Sequence, residues 1–250
     1  NGFAFDLFGK LHAPGKNLFL SPYSISSAMG MAYTGARGKT AAEMGKAMNF
    51  AYAPTLQHAL FAASGKMTKS VNDRKIAQLY IANALFNDKS NEEYLVPEYA
   101  NTLQSSFGSE VHHLDFAKVK PTTDYINSWV EKRTNERIKD IVSEDQISGN
   151  KDGLVLVNSI YFKSPWLSQF KSSNTVNDRF FTTSQKEADK YISLPLMKQT
   201  GDFAYADVPG GQIIELPFED SDLAMIFMLP SDIDAITAKQ MPGMIDRAAA

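Results

Sequence analysis

The sequence predicts an α+β fold in a single domain, and three features of its pattern support that prediction. In the first part of the chain, most segments have apolar residues that recur at helical spacing, whereas strand-like runs dominate from Thr175 onward. Helices and strands that are segregated in this way, rather than alternating, are typical of α+β architecture. No Pro-, Ser- or Gly-rich linker divides the chain, so we expect residues 1–250 to form one domain.

The first elements are predicted to be helices, interrupted by one short strand. Amphipathic spacing in "NGFAFDLFGKL" and in "SPYSISSAMGMAY" indicates two helices, the second of which ends near Gly35. A short strand is expected between them at Leu18–Leu20. Thr40 and Glu43 have the spacing of a capping box, which predicts that Thr40 caps the next helix. A further helix is expected from Pro54 to Lys69.

The middle of the chain is predicted to contain both strands and helices. The run "KIAQLYIANALFND" is too densely apolar for an exposed strand, and "LVLVNSIYF" is typical of a strand covered on both faces. Between them, "NEEYLVPEYANTLQSSF" predicts a helix that ends at Gly108, and "EVHHLDF" predicts a short strand. The segment "TTDYINSWVEKRTNERIKDIV" has an apolar stripe that includes Trp129, which indicates an amphipathic helix over its whole length.

The last third of the chain is predicted to consist mainly of strands. Four runs have strand character: "YISLPLMKQ", "DFAYADV", "GQIIELPF" and "DLAMIFMLP". Pro209, Gly210 and Gly211 separate two of these runs and indicate a hairpin turn. The final segment, from Ile236 onward, resembles a helix.

The composition excludes several classes of function. The net charge is −3 at pH 7, which provides no attraction to nucleic acid or to an anionic membrane. No stretch approaches the roughly 18 apolar residues that a membrane-spanning helix needs. The chain contains no cysteine, so it has no disulfide, no thiolate metal site and no cysteine nucleophile. We therefore expect no nucleic-acid partner, no membrane partner and no cofactor.

Two patterns that could suggest ligand binding or catalysis lack the required spacing. The triplet Gly38, Lys39 and Thr40 resembles the end of a phosphate-binding loop, but Tyr33 stands where that loop needs its first glycine. The sequence has no Gly-x-Ser-x-Gly elbow for a hydrolase serine. We expect no catalytic residue and no metal site, since no metal-ligand spacing relates the four histidines, His12, His58, His112 and His113.

A loose basic group lies near the end of the fourth helix. It could contact a sulfated polysaccharide, but its charge density is low and Asp73 lies within it. Such a group is usually a solvated edge, so we expect no polyanion partner for its members, Lys66, Lys69, Arg74 and Lys75.

Asn158 interrupts the apolar run Leu154–Phe162. If this strand is buried, the amide needs hydrogen-bond partners, because an unsatisfied buried polar group costs roughly 1–3 kcal/mol. Hydroxyl groups of Ser21 and Ser24, at the start of a helix, could provide them. An ordinary asparagine that is satisfied within the core is the alternative interpretation.

Three segments carry a pattern of higher specificity. "NLFLSPYSISSAMGMAYTGARGKTAAEM" contains an Asn, a short apolar strand, and then Ser-Pro-x-Ser-Ile at the opening of a helix. "INSWVEKRTNERIKDIV" and "LVLVNSIYFKSPW" follow in order, and "PLMKQ", "ELPF" and "LAMIFMLP" come after them. Together these segments resemble the serpin family, the large inhibitors of serine proteases, from Asn1 to about Met244. The chain departs from the family pattern at Glu136, where Gly is usual, and at Ser164 and Pro165, which replace Gly-x.

The resemblance implies a fold and a function. It implies helices packed on a large central β-sheet, beside smaller antiparallel sheets. It also implies an irreversible suicide-substrate inhibitor of serine endopeptidases, in which a cleaved reactive loop inserts into the central sheet. A non-inhibitory serpin, acting as carrier, chaperone or storage protein, is the alternative. By the family's order of elements, the reactive bond lies beyond Ala250, so the target protease is not readable from these residues.

The resemblance also implies roles for particular residues. Ser21, Ser24 and Asn158 correspond to the polar cluster under the centre of the main sheet that the family calls the shutter. Lys163 and Trp166 correspond to the breach, the top of the sheet where the loop first inserts. For Trp166, packing in an apolar core is the simpler alternative. The family further implies a monomer in the extracellular space, with the cytoplasm as the alternative location.

Overall fold

A computed structural model of the chain describes residues 2–13, 15–150, 153–181 and 190–231. The chain divides into two compact units. One comprises Ser21–Lys163, and the other comprises Asn1–Leu20 together with Ser164–Ala250. The predicted single domain over residues 1–250 stays a prediction.

The described helices agree in most places with the sequence prediction. In chain order they are α1 (Gly2–Leu11), α2 (Pro22–Gly35), α3 (Gly38–Ala47), α4 (Pro54–Asp73), α5 (Pro97–Phe107), α6 (Val119–Arg133) and α7 (Glu144–Ser148). Short 3-10 helices lie at Lys89–Tyr94 and Ser172–Asn174.

The strands form three sheets among the described residues. They are β1 (Gln78–Asp88), β2 (Glu110–Leu114), β3 (Leu154–Lys163), β4 (Val176–Phe181), β5 (Tyr191–Leu196), β6 (Ala204–Val208), β7 (Gly211–Pro217) and β8 (Ala224–Pro230). The fold is therefore α+β, as the sequence predicts.

The unit Ser21–Lys163 is built on a mixed sheet with the strand order β2-β1-β3. Strand β1 is parallel to β2 and antiparallel to β3. Because successive side chains of a strand point to opposite faces, the central strand contributes to two cores. Ala84 and Phe86 belong to one core, with Trp129 of α6, whereas Leu85 belongs to the other, with residues of α2, α4 and α5. Helices therefore cover both faces of this sheet.

The second unit contains two antiparallel sheets. Strands β4 and β5 form one, and β6, β7 and β8 form the other in sequential order. The predicted hairpin is present between β6 and β7, where Val208 pairs with Gly211 and Gly210 adopts φ 94°, a backbone conformation that favours glycine. In the part of the chain that the structure describes, no helix is both long enough and apolar enough to cross a membrane.

Four local predictions need correction. Residues 18–20 are not a strand, because no described strand pairs with them. Thr40 does not cap α3, which begins two residues earlier. The cause is Arg37, whose extended backbone ends the preceding turn and whose guanidinium donates to the carbonyls of Thr34 and Ala36 at 3.0 and 2.8 Å. Helix α6 stops at Arg133, because Asn135 and Glu136 adopt positive φ.

The fourth correction concerns the helix predicted to start at Asn91. A 3-10 helix occupies Lys89–Tyr94, and α5 begins only at Pro97. The residue before a proline is disfavoured in helical conformation, which separates the two elements. Strand β4 and helix α7 were not predicted. The predicted helix from Ile236 onward lies outside the described residues.

Candidate functional site

The residues with an implied shutter role lie where α2 begins beneath the sheet. Ser21 is the N-cap of α2: its hydroxyl oxygen accepts a hydrogen bond from the Ser24 amide at 3.2 Å, and Pro22 occupies the first turn. A proline fits there because the first helical N–H groups have no partner within the helix. The cap fixes the first turn of the helix, and that turn carries the Ser24 side chain.

Ser24 and Asn158 are in direct contact. The Ser24 hydroxyl donates a hydrogen bond to the Asn158 side-chain oxygen, which joins α2 to the middle of β3. The sequence interpretation named both Ser21 and Ser24 as partners of this amide. In the structure Ser24 is the direct partner, and Ser21 acts through the cap.

Asn83 extends this chain of hydrogen bonds and was missed in the sequence interpretation. It pairs with Asn158 in the antiparallel register of β1 and β3, so both side chains lie on the same face of the sheet. The Asn158 amide nitrogen donates to the Asn83 side-chain oxygen at 2.5 Å, and the Asn83 nitrogen donates to the Phe107 carbonyl at 2.7 Å. Asn83 interrupts the apolar run of β1 as Asn158 interrupts that of β3, and this signal could have identified it.

The resulting polar chain connects α2, β3, β1 and the C-terminal end of α5. Asn83 is only 3% exposed, so its two hydrogen bonds form away from water. Inside a protein such a network specifies one arrangement, because removing one member leaves buried polar groups without partners. Its four side chains, Ser21, Ser24, Asn83 and Asn158, are uncharged. The arrangement can hold elements together, and it contains no pair of a nucleophile and a base.

The two residues with an implied breach role belong to different compact units. Lys163 is the last residue of β3, where it pairs with Gln78 and is exposed. The Trp166 ring stacks on Phe218 with a centroid distance of 4.7 Å and an angle of 13°, and Trp166 forms an isolated antiparallel bridge with the same residue. The indole also contacts Phe170 and Phe227, each at 6.3 Å. Trp166 thus has a packing role within its unit.

Two of the histidines and one member of the basic group have ordinary structural contacts. His112 stacks on Phe86, and His58 Nδ1 lies 3.0 Å from the Ser106 hydroxyl. Lys69 forms an exposed ion pair with Asp73 at 2.9 Å. Within the described ranges, no group of three or more His, Cys, Asp or Glu residues could hold a metal ion.

Comparisons with known proteins give one consistent result. The family model described as Serpin (serine protease inhibitor) matches residues 1–247. The leukocyte elastase inhibitor of Bos taurus is 35% identical, and the match covers 92% of this chain and 60% of that protein.

Solved structures are also similar to this chain. A structure titled cleaved Serpin 42Da aligns with a TM-score of 0.84 and 31% identity, covering 98% of this chain and 66% of that one. A reactive-loop-cleaved human thyroxine-binding globulin aligns with a TM-score of 0.79 and 25% identity, covering 98% and 73%. The chain spans about three fifths of the length of the curated relatives that it matches.

Proposed function

Because this chain belongs to the serpin family of serine protease inhibitors, we propose that the protein is an irreversible suicide-substrate inhibitor of serine endopeptidases. The catalytic serine of the target attacks the carbonyl carbon of the reactive bond. The peptide bond breaks, the new amino terminus leaves with a proton, and an acyl ester joins the inhibitor to the enzyme. The cleaved loop then enters the central sheet as a new strand, for which serpins are an established example of strand addition.

The observation that carries this proposal is the combination of an edge strand with a polar chain beneath it. Among the described residues, β3 is an edge strand of its sheet, so a new strand could pair with it. Asn158 lies at the middle of β3, where it bonds to Ser24 of the helix beneath the sheet and to Asn83 of the neighbouring strand β1. We assign Ser21, Ser24, Asn83 and Asn158 as the shutter of this protein.

The breach assignment of Lys163 and Trp166 belongs to the same proposal. Lys163 ends β3, and Trp166 follows three residues later with its ring packed on Phe218. In the serpin family, the residues at these two positions are those that an inserting loop meets first. Replacing Trp166 with Ala should therefore lower the fraction of encounters that end in inhibition, measured as a higher stoichiometry of inhibition.

The inhibitor proposal is tested with the full-length protein and three serine proteases of different specificity: trypsin, chymotrypsin and pancreatic elastase. We expect a complex with at least one of them that resists boiling in SDS, together with loss of protease activity. A matched reaction with protease inactivated at its catalytic serine should give no such complex. Cleavage of the protein by all three enzymes without any stable complex would overturn the proposal.

A carrier function is the second candidate, since one of the similar solved structures is that of a binding globulin, named for its ligand thyroxine. A carrier would be cleaved in the same reactions without trapping the enzyme. The extracellular space is our proposed location, because secreted proteases are accessible targets there. Recovery of the protein from culture medium, against the cell fraction, tests that location.

A further inference from the structure

Besides its apolar packing, helix α6 is linked to the sheet by one carboxylate that neither the family resemblance nor the shutter assignment uses. Glu110, the first residue of β2, accepts hydrogen bonds from Trp129 Nε1 at 3.0 Å and from the Arg133 guanidinium. His112 Nε2 lies 3.0 Å from the same carboxylate. The Glu110 side chain thus joins β2 to two positions on α6.

The contacts on the helix follow its geometry. Tyr125, Trp129 and Arg133 are four residues apart, so they form one stripe on α6. The Tyr125 hydroxyl lies 3.2 Å from His112 Nδ1, and the Arg133 guanidinium lies over the Trp129 ring at 4.1 Å. The whole stripe therefore reaches β2 through Glu110 and His112.

The electrostatics favour a charged Glu110. Partial burial alone would raise the pKa of this carboxyl. The hydrogen bonds from Trp129, Arg133 and His112, together with the charge of Arg133, outweigh that effect and lower the pKa. Hydrogen bonds to an ionised group are roughly twice as strong as neutral ones, so the charged form makes the firmer link.

The segment that follows α6 covers part of β3. The segment that follows the helix, residues 134–142, contributes Ile138 and Val142 to the same core cluster as Val157 of β3. Asn127 of α6 holds the far end of this segment: its amide donates to the Val142 carbonyl at 2.9 Å and accepts from the Val142 N–H at 3.0 Å. Helix α6 and the segment 134–142 are continuous in the chain, and two hydrogen bonds between Asn127 and Val142 join them again. We therefore expect them to move together.

We propose that Glu110 is a positioning residue that holds α6 on the sheet and thereby sets how readily a strand enters beside β3. This inference rests on the proposed insertion function for its biological meaning. The quantity it concerns, access to the edge of β3, is measurable without any protease. Its test can therefore fail separately from that of the inhibitor proposal.

The experiment compares wild type with Glu110→Gln in the full-length protein. This variant keeps the side-chain size and removes the charge. Hydrogen exchange in residues 119–133 should accelerate about tenfold or more, the factor that corresponds to 1.4 kcal/mol. Association between molecules on mild heating should accelerate with it, because an accessible strand edge pairs with other chains. Asp124→Asn, which removes a carboxylate from the exposed Lys120–Asp124 pair on the same helix, is the matched control and should change neither rate.

A double-mutant cycle separates a specific link from a general loss of packing. Trp129→Phe removes the indole N–H and keeps an aromatic ring, so it should accelerate exchange in α6 by itself. In the Glu110→Gln background its effect should be smaller than in wild type, since its hydrogen-bond partner is already weakened, whereas the packing lost with the indole is the same in both backgrounds.

The inference would be overturned if Glu110→Gln left exchange in residues 119–133 unchanged, or if it accelerated exchange without accelerating association. Additive effects of the two substitutions would also overturn it. Absence of a protease complex in the wild type bears on the inhibitor proposal alone.

Discussion

At the scale of single residues, Asn158 is the most informative position of the proposed shutter. Replacing it with Leu should leave the protein folded, because the apolar run around it accepts the added methyl groups. The half-buried Ser24 hydroxyl and the buried Asn83 side chain would each lose a partner, and for Asn83 the loss costs about 1–3 kcal/mol. We expect the full-length variant to polymerise faster than wild type on mild heating. Light scattering measures this rate.

Asn101→Leu, at an exposed position of α5, is the matched control for this change of side chain and should polymerise at the wild-type rate. Equal rates for Asn158→Leu and wild type would remove the shutter assignment. The same result for Asn83→Leu would remove Asn83 from it.

At Glu136 we predict a substitution that stabilises the protein. This residue adopts φ 60°, in the left-handed region where a side chain crowds the backbone and glycine does not. Relief of this strain makes Glu136→Gly stabilising by about 0.5–1 kcal/mol, net of the larger entropy of the unfolded chain. Chemical denaturation measures the difference.

Glu43→Gly, inside helix α3, provides the control, because the same substitution in a helical conformation should destabilise by about 1 kcal/mol. Two losses of similar size would show that Glu136 is not strained.

At the scale of elements, the contact between α2 and α4 depends on a glycine. A Cβ atom added to Gly30 would lie 2.5 Å from the ring of Phe61, which is 8% exposed and stacks on Phe107. Because this ring is buried and packed against Phe107, Gly30→Ala should lower the free energy of unfolding by about 1–3 kcal/mol, although alanine has a higher helix propensity than glycine. Gly65, in α4, has no atom within 4 Å of an added Cβ, and Gly65→Ala should stabilise by up to about 1 kcal/mol. A gain in both variants, measured by thermal melting, would contradict the close packing.

The end of β1 depends on a buried carboxylate. Asp88 accepts hydrogen bonds from the Phe116 N–H at 2.7 Å and the Ser90 N–H at 2.8 Å, and it is 7% exposed. Burial alone would raise its pKa, but the hydrogen bonds from Ser90 and Phe116 outweigh burial and lower it. A lowered folded-state pKa contributes stability that is present above the unfolded value, about 3.9, and is lost as the pH falls through the folded value.

Asp88→Asn should therefore destabilise at pH 7 by about 1–3 kcal/mol, and its difference from wild type should shrink below about pH 4. Urea denaturation of both proteins at pH 7 and below about pH 4 measures the difference in their free energies of unfolding. The contributions of the other titrating groups largely cancel in this difference. A difference that is independent of pH would show that the ionised carboxylate contributes nothing.

Most elements were predictable from the sequence because local pattern and tertiary burial agree in them. The dense apolar runs of β1 and β3 required cover on both faces, and α6 and the cores provide it. The errors occurred where a local signal competed with a contact that is not local. Thr40 and Glu43 have capping-box spacing, yet Arg37 bonds to the end of α2 and moves the start of α3. The stripe of α6 continues in the sequence beyond Arg133, but two left-handed residues, Asn135 and Glu136, end the helix, and only the asparagine is of a type that favours that conformation.

The site was predictable in part for the same reason. A polar residue within an apolar strand pointed to Asn158, and the same reasoning would have found Asn83. Glu110 could not be found in this way. Its role follows from the distance between β2 and α6, and a glutamate at the start of a short strand is common on surfaces.

At the scale of the whole molecule, the inhibitor and carrier proposals differ in the effect of one cut. In most proteins a nick in a loop is neutral or harmful, because it removes a constraint on the chain. In the proposed inhibitor, the released segment would pair with β3, which has ten residues. On the order of ten added hydrogen bonds, at about 0.5–1.5 kcal/mol each, should raise the melting temperature by well over about 10 °C, since 1 kcal/mol shifts a large domain by a few degrees. Calorimetry of the full-length protein before and after limited proteolysis measures this change, with a sample incubated with inactivated protease as control. A midpoint that is unchanged or lowered after complete cleavage of the loop would exclude insertion and leave the carrier function as the better account.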